Sequence, residues 1–81
     1  MTDQIRTILD EHARLPVAAG TLGDDDDLFQ AGMTSHASVN VMLALEDAFD
    51  LEFPDAMLKR SSFESIAAIQ AAVSSLTEEA A

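Results

Sequence analysis

The sequence predicts a small all-α domain: a bundle of three main helices plus one short helix, with a long first loop. Three observations predict it. Apolar residues recur at three- and four-residue steps in three separate stretches. No run alternates apolar and polar residues as a half-buried strand does. The three glycines and two prolines fall between these stretches and not within them. At 81 residues with 48% apolar side chains, the chain has enough apolar surface for one domain, residues 1–81, with a modest core.

The first helix is expected over residues 3–14. Thr2 is a suitable N-cap, and Asp3 places an anion in the first turn, where the helix dipole favours it. Ile5, Ile8, Leu9 and Ala13 form the apolar stripe, closed by Leu15. Pro16 ends the helix because it lacks a backbone donor and restricts the residue before it.

Residues 16–34 read as a long loop, and a connection of this length in a small domain is usually functional or mobile. Within it "LFQAG", residues 28–32, is expected to form a pinned turn that docks Leu28 and Phe29 on the core. The aspartate run at residues 24–27 invites a calcium reading. An EF-hand loop opening at Asp24 needs Gly sixth and Glu twelfth, but those places hold Phe29 and Ser35. Starts at Asp25 or Asp26 put Gln30 or Ala31 at the glycine position. The run therefore reads as a solvated charge cluster, and no metal site is expected.

The segment "SHASVNVMLALEDAFD" contains no Gly or Pro and is rich in strong helix formers. Val41, Leu45, Ala48 and Phe49 form an expected core face flanked by Ser38 and Met42. Val39 and Leu43 form a second ridge leading towards Glu46 and Asp47. A helix apolar beyond one stripe either lies at the centre of a bundle or turns a face to a partner. Both readings stand at this point. Next, Pro54 is placed to open a short helix carrying Ala56, Met57 and Leu58. "SSFE" then reads as a capping box with Ser61 as N-cap and Glu64 three residues on. Phe63, Ile66, Ala67, Ile69, Val73 and Leu76 continue a last helix, with residues 77–81 as a frayed tail.

Fifteen acidic residues against four basic ones give a net charge of −11. Nucleic acid is excluded as a partner, because binding it depends on neutralising phosphates with Lys and Arg, and anionic membrane surfaces are disfavoured for the same reason. A basic patch on a partner protein is the natural complement, and simple solubility is the alternative that charge alone favours. The chain has no cysteine, hence no disulfide framework. Its N-terminus lacks the pattern of a secretory signal, and no apolar stretch approaches the ~20 residues of a membrane span. A cytoplasmic protein is expected.

"GMTSHAS", residues 32–38, sets a serine beside a histidine at the head of the most apolar helix. A serine nucleophile needs a base within hydrogen-bond reach and a group to orient that base. Ser35 and His36 are neighbours on a helix, and neighbours do not face each other. The other histidine, His12, lies in the first helix, and there is no Gly-x-Ser-x-Gly elbow. No catalytic residue and no enzymatic activity are expected. Two readings remain. Ser35, or equally Thr34, caps the helix, or Ser35 carries a phosphate-linked group, which the free amides of a helix start would favour.

The stretch "DLFQAGMTSHASVNVMLALEDAFDLEFPD" resembles the acyl carrier protein family around its prosthetic-group serine, and "SSFESIAAI" extends the likeness over most of the chain. More narrowly, "GMTSHAS", "ALEDAFDLEFPD" and "LKRSSFESI" resemble the stand-alone aminoacyl carrier proteins, which are loaded by seryl-tRNA-synthetase-like amino acid:carrier-protein ligases. The resemblance implies an acyl-carrier-protein-like bundle. It implies 4′-phosphopantetheine attached covalently to Ser35, holding a small amino acid of the glycine or alanine class as a thioester. The missing cysteine agrees, since the thiol then comes from the prosthetic group. Thr34 and His36 stand where the common Asp-Ser-Leu motif has Asp and Leu, a departure that sets the chain apart from fatty-acid carriers. Implied partners are the ligase and a phosphopantetheinyl transferase, with the carrier as a monomer. Met33, His36, Val39, Leu43, Glu46, Asp47 and Met57 are the residues expected to face a partner, with Glu46 and Asp47 supplying peripheral charge. A conventional acyl or peptidyl carrier, and an acidic interaction module with no prosthetic group, are the alternatives.

The charge imbalance makes a prediction about stability. Raising NaCl from ~0.01 M to ~0.1 M shortens the screening length from ~30 Å to ~10 Å, and should raise Tm as self-repulsion is damped. A Tm that falls steadily with salt would show that attractive pairs dominate.

Overall fold

Helix α1 (Thr2–His12) buries Ile5, Ile8 and Leu9 on one face, and Ala13 beyond its end is buried too. The computed structural model describes the backbone of residues 2–80 and the side chains of residues 3–77. The Thr2 cap expected from the sequence lies outside the described side chains, and the Thr2 backbone is already helical. The helix stops earlier than the predicted residue 14. Arg14 turns into the left-handed region at φ 54°, which ends the helix before Leu15 and Pro16 are reached.

The connection that follows is held by side chains of α1. The Arg6 guanidinium donates to the carbonyls of Ala19 (2.6 Å) and Leu22 (2.7 Å) and pairs with the Asp24 carboxylate at 2.7 Å. The Asp10 carboxylate accepts the Ala19 N–H at 2.7 Å. Ala19 begins a single 3-10 turn, Ala19–Thr21, and is fully buried.

The aspartate run is exposed at Asp24, Asp25 and Asp26, as a solvated cluster should be, yet three of its four carboxylates also hold the chain. Asp24 pairs with Arg6, Asp26 accepts the Gly23 N–H (2.8 Å), and Asp27 caps the next helix. Asp25 alone has no such contact among the described residues. A run of identical letters conceals separate roles, because each carboxylate meets whichever backbone donor the turning chain presents.

The expected pinned turn is a four-residue helix, α2 (Leu28–Ala31), with Leu28 fully buried and Phe29 packed against the core. Asp27 accepts the N–H groups of Phe29 and Gln30 at its start. Gly32 ends it at φ 124°, and a Cβ there would lie 2.8 Å from Pro16 Cδ, so the position requires glycine twice over.

Helix α3 (Ser35–Phe49) buries the row Ala37, Val41 and Leu45, with Met42 and Phe49 packed beside it. Ala48, expected in the core, is exposed, because the buried row repeats every four residues and Ala48 falls off it. Asp50 caps α3 in the left-handed conformation, and both its N–H and that of Leu51 meet the Glu46 carbonyl.

After α3 the Glu46 carboxylate accepts the Phe53 N–H at 2.9 Å. Phe53 then packs edge-on to Phe63, with ring centroids 5.4 Å apart. The short helix predicted after Pro54 is a single 3-10 turn, Asp55–Met57, and Leu58 lies outside it. Ser61 does not cap the last helix but sits in a second such turn, Arg60–Ser62. Helix α4 (Ile66–Ala80) starts later, with the Ser65 hydroxyl oxygen accepting the Ala68 N–H at 3.0 Å. The delay has a cause. The Glu64 carbonyl accepts the Leu28 N–H (2.7 Å) and the Ala67 N–H reaches the Asp24 carbonyl (2.9 Å), so the first loop fixes where α4 begins. Its backbone runs to Ala80, past the expected end near Leu76, since residues 77–80 contain no helix breaker.

Helix α1 packs against both α3 and α4. Ile5, Leu9, Leu28, Val41, Leu45, Ile66, Ile69 and Val73 fill the space between them, each fully buried. Burying one such side chain contributes about 1.5–3 kcal/mol. Among the described residues there is no strand, and no helix is long and apolar enough to cross a membrane.

Arg6→Ala should destabilise the domain by about 2–3 kcal/mol, because it leaves two carbonyls without their charged donor. Asp24→Asn removes only the exposed end of the pair and should cost under about 1 kcal/mol. Urea unfolding of the two variants checks both values; equal costs would show that the ion pair, and not the carbonyl bonds, matters.

Candidate functional site

Ser35 is the first residue of α3, and Thr34 rather than Ser35 caps the helix. The Thr34 hydroxyl oxygen accepts the Ala37 N–H at 3.0 Å, and its carbonyl accepts the Ser38 N–H at 3.0 Å. Ser35 is thereby released from any capping role. Its side chain is exposed, and no group among the described residues bonds its hydroxyl. The Ser38 hydroxyl donates to the Ser35 carbonyl at 2.6 Å. The backbone N–H groups of Ser35 and His36 precede the helix's own bonding and have no acceptor among the described residues.

The approach to Ser35 is fixed from below. Gly32 ends α2, the Met33 N–H donates to the Leu28 carbonyl (3.0 Å), and the Met33 side chain is 3% exposed. Met33 is therefore a core anchor and not the partner contact expected from the sequence. Packed inside the bundle, it holds Thr34 and Ser35 at the surface.

Ser35 opens onto a cleft of about 330 Å³. Ser35, Ser38, Val39 and Met42 line it from α3, and Leu58, Lys59 and Arg60 from the segment before α4. Phe29 and Phe63 complete it, and the Arg60 guanidinium lies 4.1 Å above the Phe29 ring. No Asp or Glu is among its lining residues.

The second ridge of α3 is a surface feature. Val39 is 50% exposed and Leu43 53%. The two nevertheless serve different depressions, since Leu43 lines a shallow groove between α1 and α3 together with His12, Asp47 and Ala48. His12 faces that groove, lies 3.7 Å from Glu11, and is not a lining residue of the Ser35 cleft. His36 and Asp47 are exposed. Glu46 is drawn into the Phe53 contact and so is a structural carboxylate, not the peripheral charge it was expected to be. Met57 packs against the core, and its neighbour Leu58, 45% exposed, reaches the cleft in its place. Sequence reasoning missed Leu58, Lys59 and Arg60 as site residues. The signal available was a pair of adjacent cations in a chain that has only four.

Chemically, the site offers an accessible hydroxyl without a neighbouring base, two free N–H donors, and an apolar cleft with a cationic edge. It suits a serine that is modified by another protein. The phosphopantetheine attachment site family matches residues 3–73. The chain belongs to that family. An aminoacyl carrier protein of Agrobacterium fabrum (strain C58) is 50% identical over 70 residues, covering 86% of this chain and 84% of that protein. Among solved structures, an engineered Bradyrhizobium japonicum glycine:[carrier protein] ligase complexed with carrier protein from Agrobacterium tumefaciens and AMP gives a match at TM-score 0.89 and 49% identity. That match covers 91% of this chain and 99% of the other. The solution structure of an Agrobacterium tumefaciens protein, ATC2521, matches along the whole of both chains at TM-score 0.76 and 47% identity. The helical carrier fold implied by the sequence resemblance is the fold found.

The division of labour between Thr34 and Ser35 in this carrier domain is testable. Thr34→Ala should cost about 1 kcal/mol of stability as a lost cap, and Ser35→Ala almost nothing. Denaturant unfolding with the order reversed would make Ser35 the cap.

Proposed function

We propose that this protein is an aminoacyl carrier and that Ser35 is the residue bearing 4′-phosphopantetheine. The observation that carries the reading is the Ser35 hydroxyl itself: exposed, unbonded among the described residues, and set at a helix start whose cap is the residue before it. The residues present fit the group. The Ser35 oxygen supplies the ester link, and the free N–H groups of Ser35 and His36, at the positive end of α3, suit phosphate oxygens. The cleft beside them offers apolar walls. When bound, the group supplies a terminal thiol on which an acyl cargo is carried as a thioester. The chain itself has no cysteine and so no competing thiol.

Ser35 lacks a base, because His36 follows it directly on the helix and the two side chains diverge. Removal of the hydroxyl proton accordingly belongs to a phosphopantetheinyl transferase. Loading belongs to an amino acid:carrier-protein ligase, and a small amino acid such as glycine is the cargo. The ligase complex of the similar Agrobacterium tumefaciens carrier supports this assignment. Exposed His36, Val39 and Leu43 on α3 supply a surface next to Ser35 for that ligase, with Asp47 at its edge. The carrier performs no chemistry of its own and acts in the cytoplasm, the site of coenzyme A-dependent modification.

Incubation with coenzyme A and a broad-range transferase should add one phosphopantetheine by intact mass. Ser35→Ala should abolish the addition while leaving the circular dichroism spectrum unchanged. Mapping of the modification to Thr34 or Ser38, or no modification at all, refutes the proposal. With the ligase, ATP and glycine, the modified protein should gain one amino acid. Val39→Ala should lower the kcat/KM of loading by about 1–2 kcal/mol, at ~0.8 kcal/mol per buried methylene, without lowering Tm. A large fall in Tm would mean that the side chain belongs to the core.

A further inference from the structure

The four cations of this chain of net charge −11 are used unequally. Arg6 is committed to the first loop, and Arg14 stands exposed where α1 ends. Lys59 and Arg60 are adjacent and exposed, and among the described residues neither forms an ion pair, in a chain with fifteen carboxylate side chains. Both line the cleft that Ser35 lines, and no carboxylate lines it with them. Arg60 is also held in place, its guanidinium 4.1 Å above the Phe29 ring. Stacking engages the face of a guanidinium and leaves its in-plane N–H donors free. No acceptor among the described residues takes those donors. Ser35 lines the same cleft at the start of α3, where the N–H groups of Ser35 and His36 have no acceptor among the described residues. Unpaired donors from two elements thus border one cleft whose lining holds no carboxylate, a donor set suited to a phosphate ester.

We propose that Lys59 and Arg60 are positioning residues that hold the phosphodiester attached at Ser35, so that the cleft and not bulk solvent receives the prosthetic arm. The inference rests on the reading of Ser35 as the attachment residue. The two cations hold the phosphodiester by charge and hydrogen bonds, while Val39 and Met42 offer the arm an apolar wall.

The test uses the intact protein modified with coenzyme A and a transferase, its loading confirmed by intact mass, and reads the phosphodiester by phosphorus NMR. In the parent protein the resonance should stand apart from that of a phosphopantetheinylated serine peptide and move towards it as NaCl is added. The variant Lys59→Gln/Arg60→Gln should move the resonance towards the peptide value, leaving only the displacement due to the start of α3, and Arg60→Lys should restore part of what is lost. The Arg60 Nε–H resonance should shift when the arm is attached and stay put in Ser35→Ala treated identically. A mass showing no arm overturns this proposal together with the proposed function. With the arm present, a phosphorus resonance equal in parent and double variant overturns this proposal alone. So does a loss of ligase loading in the double variant without any change in that resonance, which would assign the cations to the partner.

Discussion

One guanidinium determines how the first half of the chain is laid down. Arg6 reaches from α1 across 18 residues to gather two carbonyls and a carboxylate of the long connection. Everything downstream uses the path it fixes. The connection that Arg6 holds is also the one whose Asp24 carbonyl meets the Ala67 N–H and whose Leu28 N–H meets the Glu64 carbonyl. Those two bonds seat α2 and set the first residue of α4. From α2 the path to Ser35 is short and stiff, through Gly32 against Pro16, Met33 in the core and Thr34 as cap. A loop that looks like slack in the sequence is therefore the scaffold that sets Ser35 at the surface.

What could be read in the sequence divides along a physical line. Helices are local and periodic, so α1, α3 and α4 were visible in the spacing of Ile5, Ile8 and Leu9, of Val41 and Leu45, and of Ile66, Ile69 and Val73. Side-chain to backbone bonds across a loop carry no period. The separate duties of Asp24, Asp26 and Asp27 were invisible, and so was the choice of Ser65 over Ser61 as cap, because both depend on where another segment ends. Ser35 was singled out by its motif, and the fold sets it exposed as the first residue of α3. Its surroundings were less legible. Met33 and Glu46 were read as surface contacts, yet one is packed inward by the turn after α2 and the other recruited by Phe53. Lys59 and Arg60 come beside Ser35 only by folding.

The distribution of charge follows from the same geometry. Acidic residues are spread over the chain, whereas the cleft beside Ser35 is lined by two cations and by no carboxylate. Approach of a basic partner is favoured by the field of the whole molecule, which acts over a Debye length. At contact range the cleft presents the opposite sign. It repels an ammonium group and favours an anion.

Because Thr34 holds the start of α3, esterification of the Ser35 oxygen breaks no hydrogen bond among the described residues. A group attached there would cost the fold none of its own bonds, and the polypeptide does not need the group in order to keep the start of α3 in place. The start of α3 is thus a place where the surface can be altered without cost to the bundle beneath it.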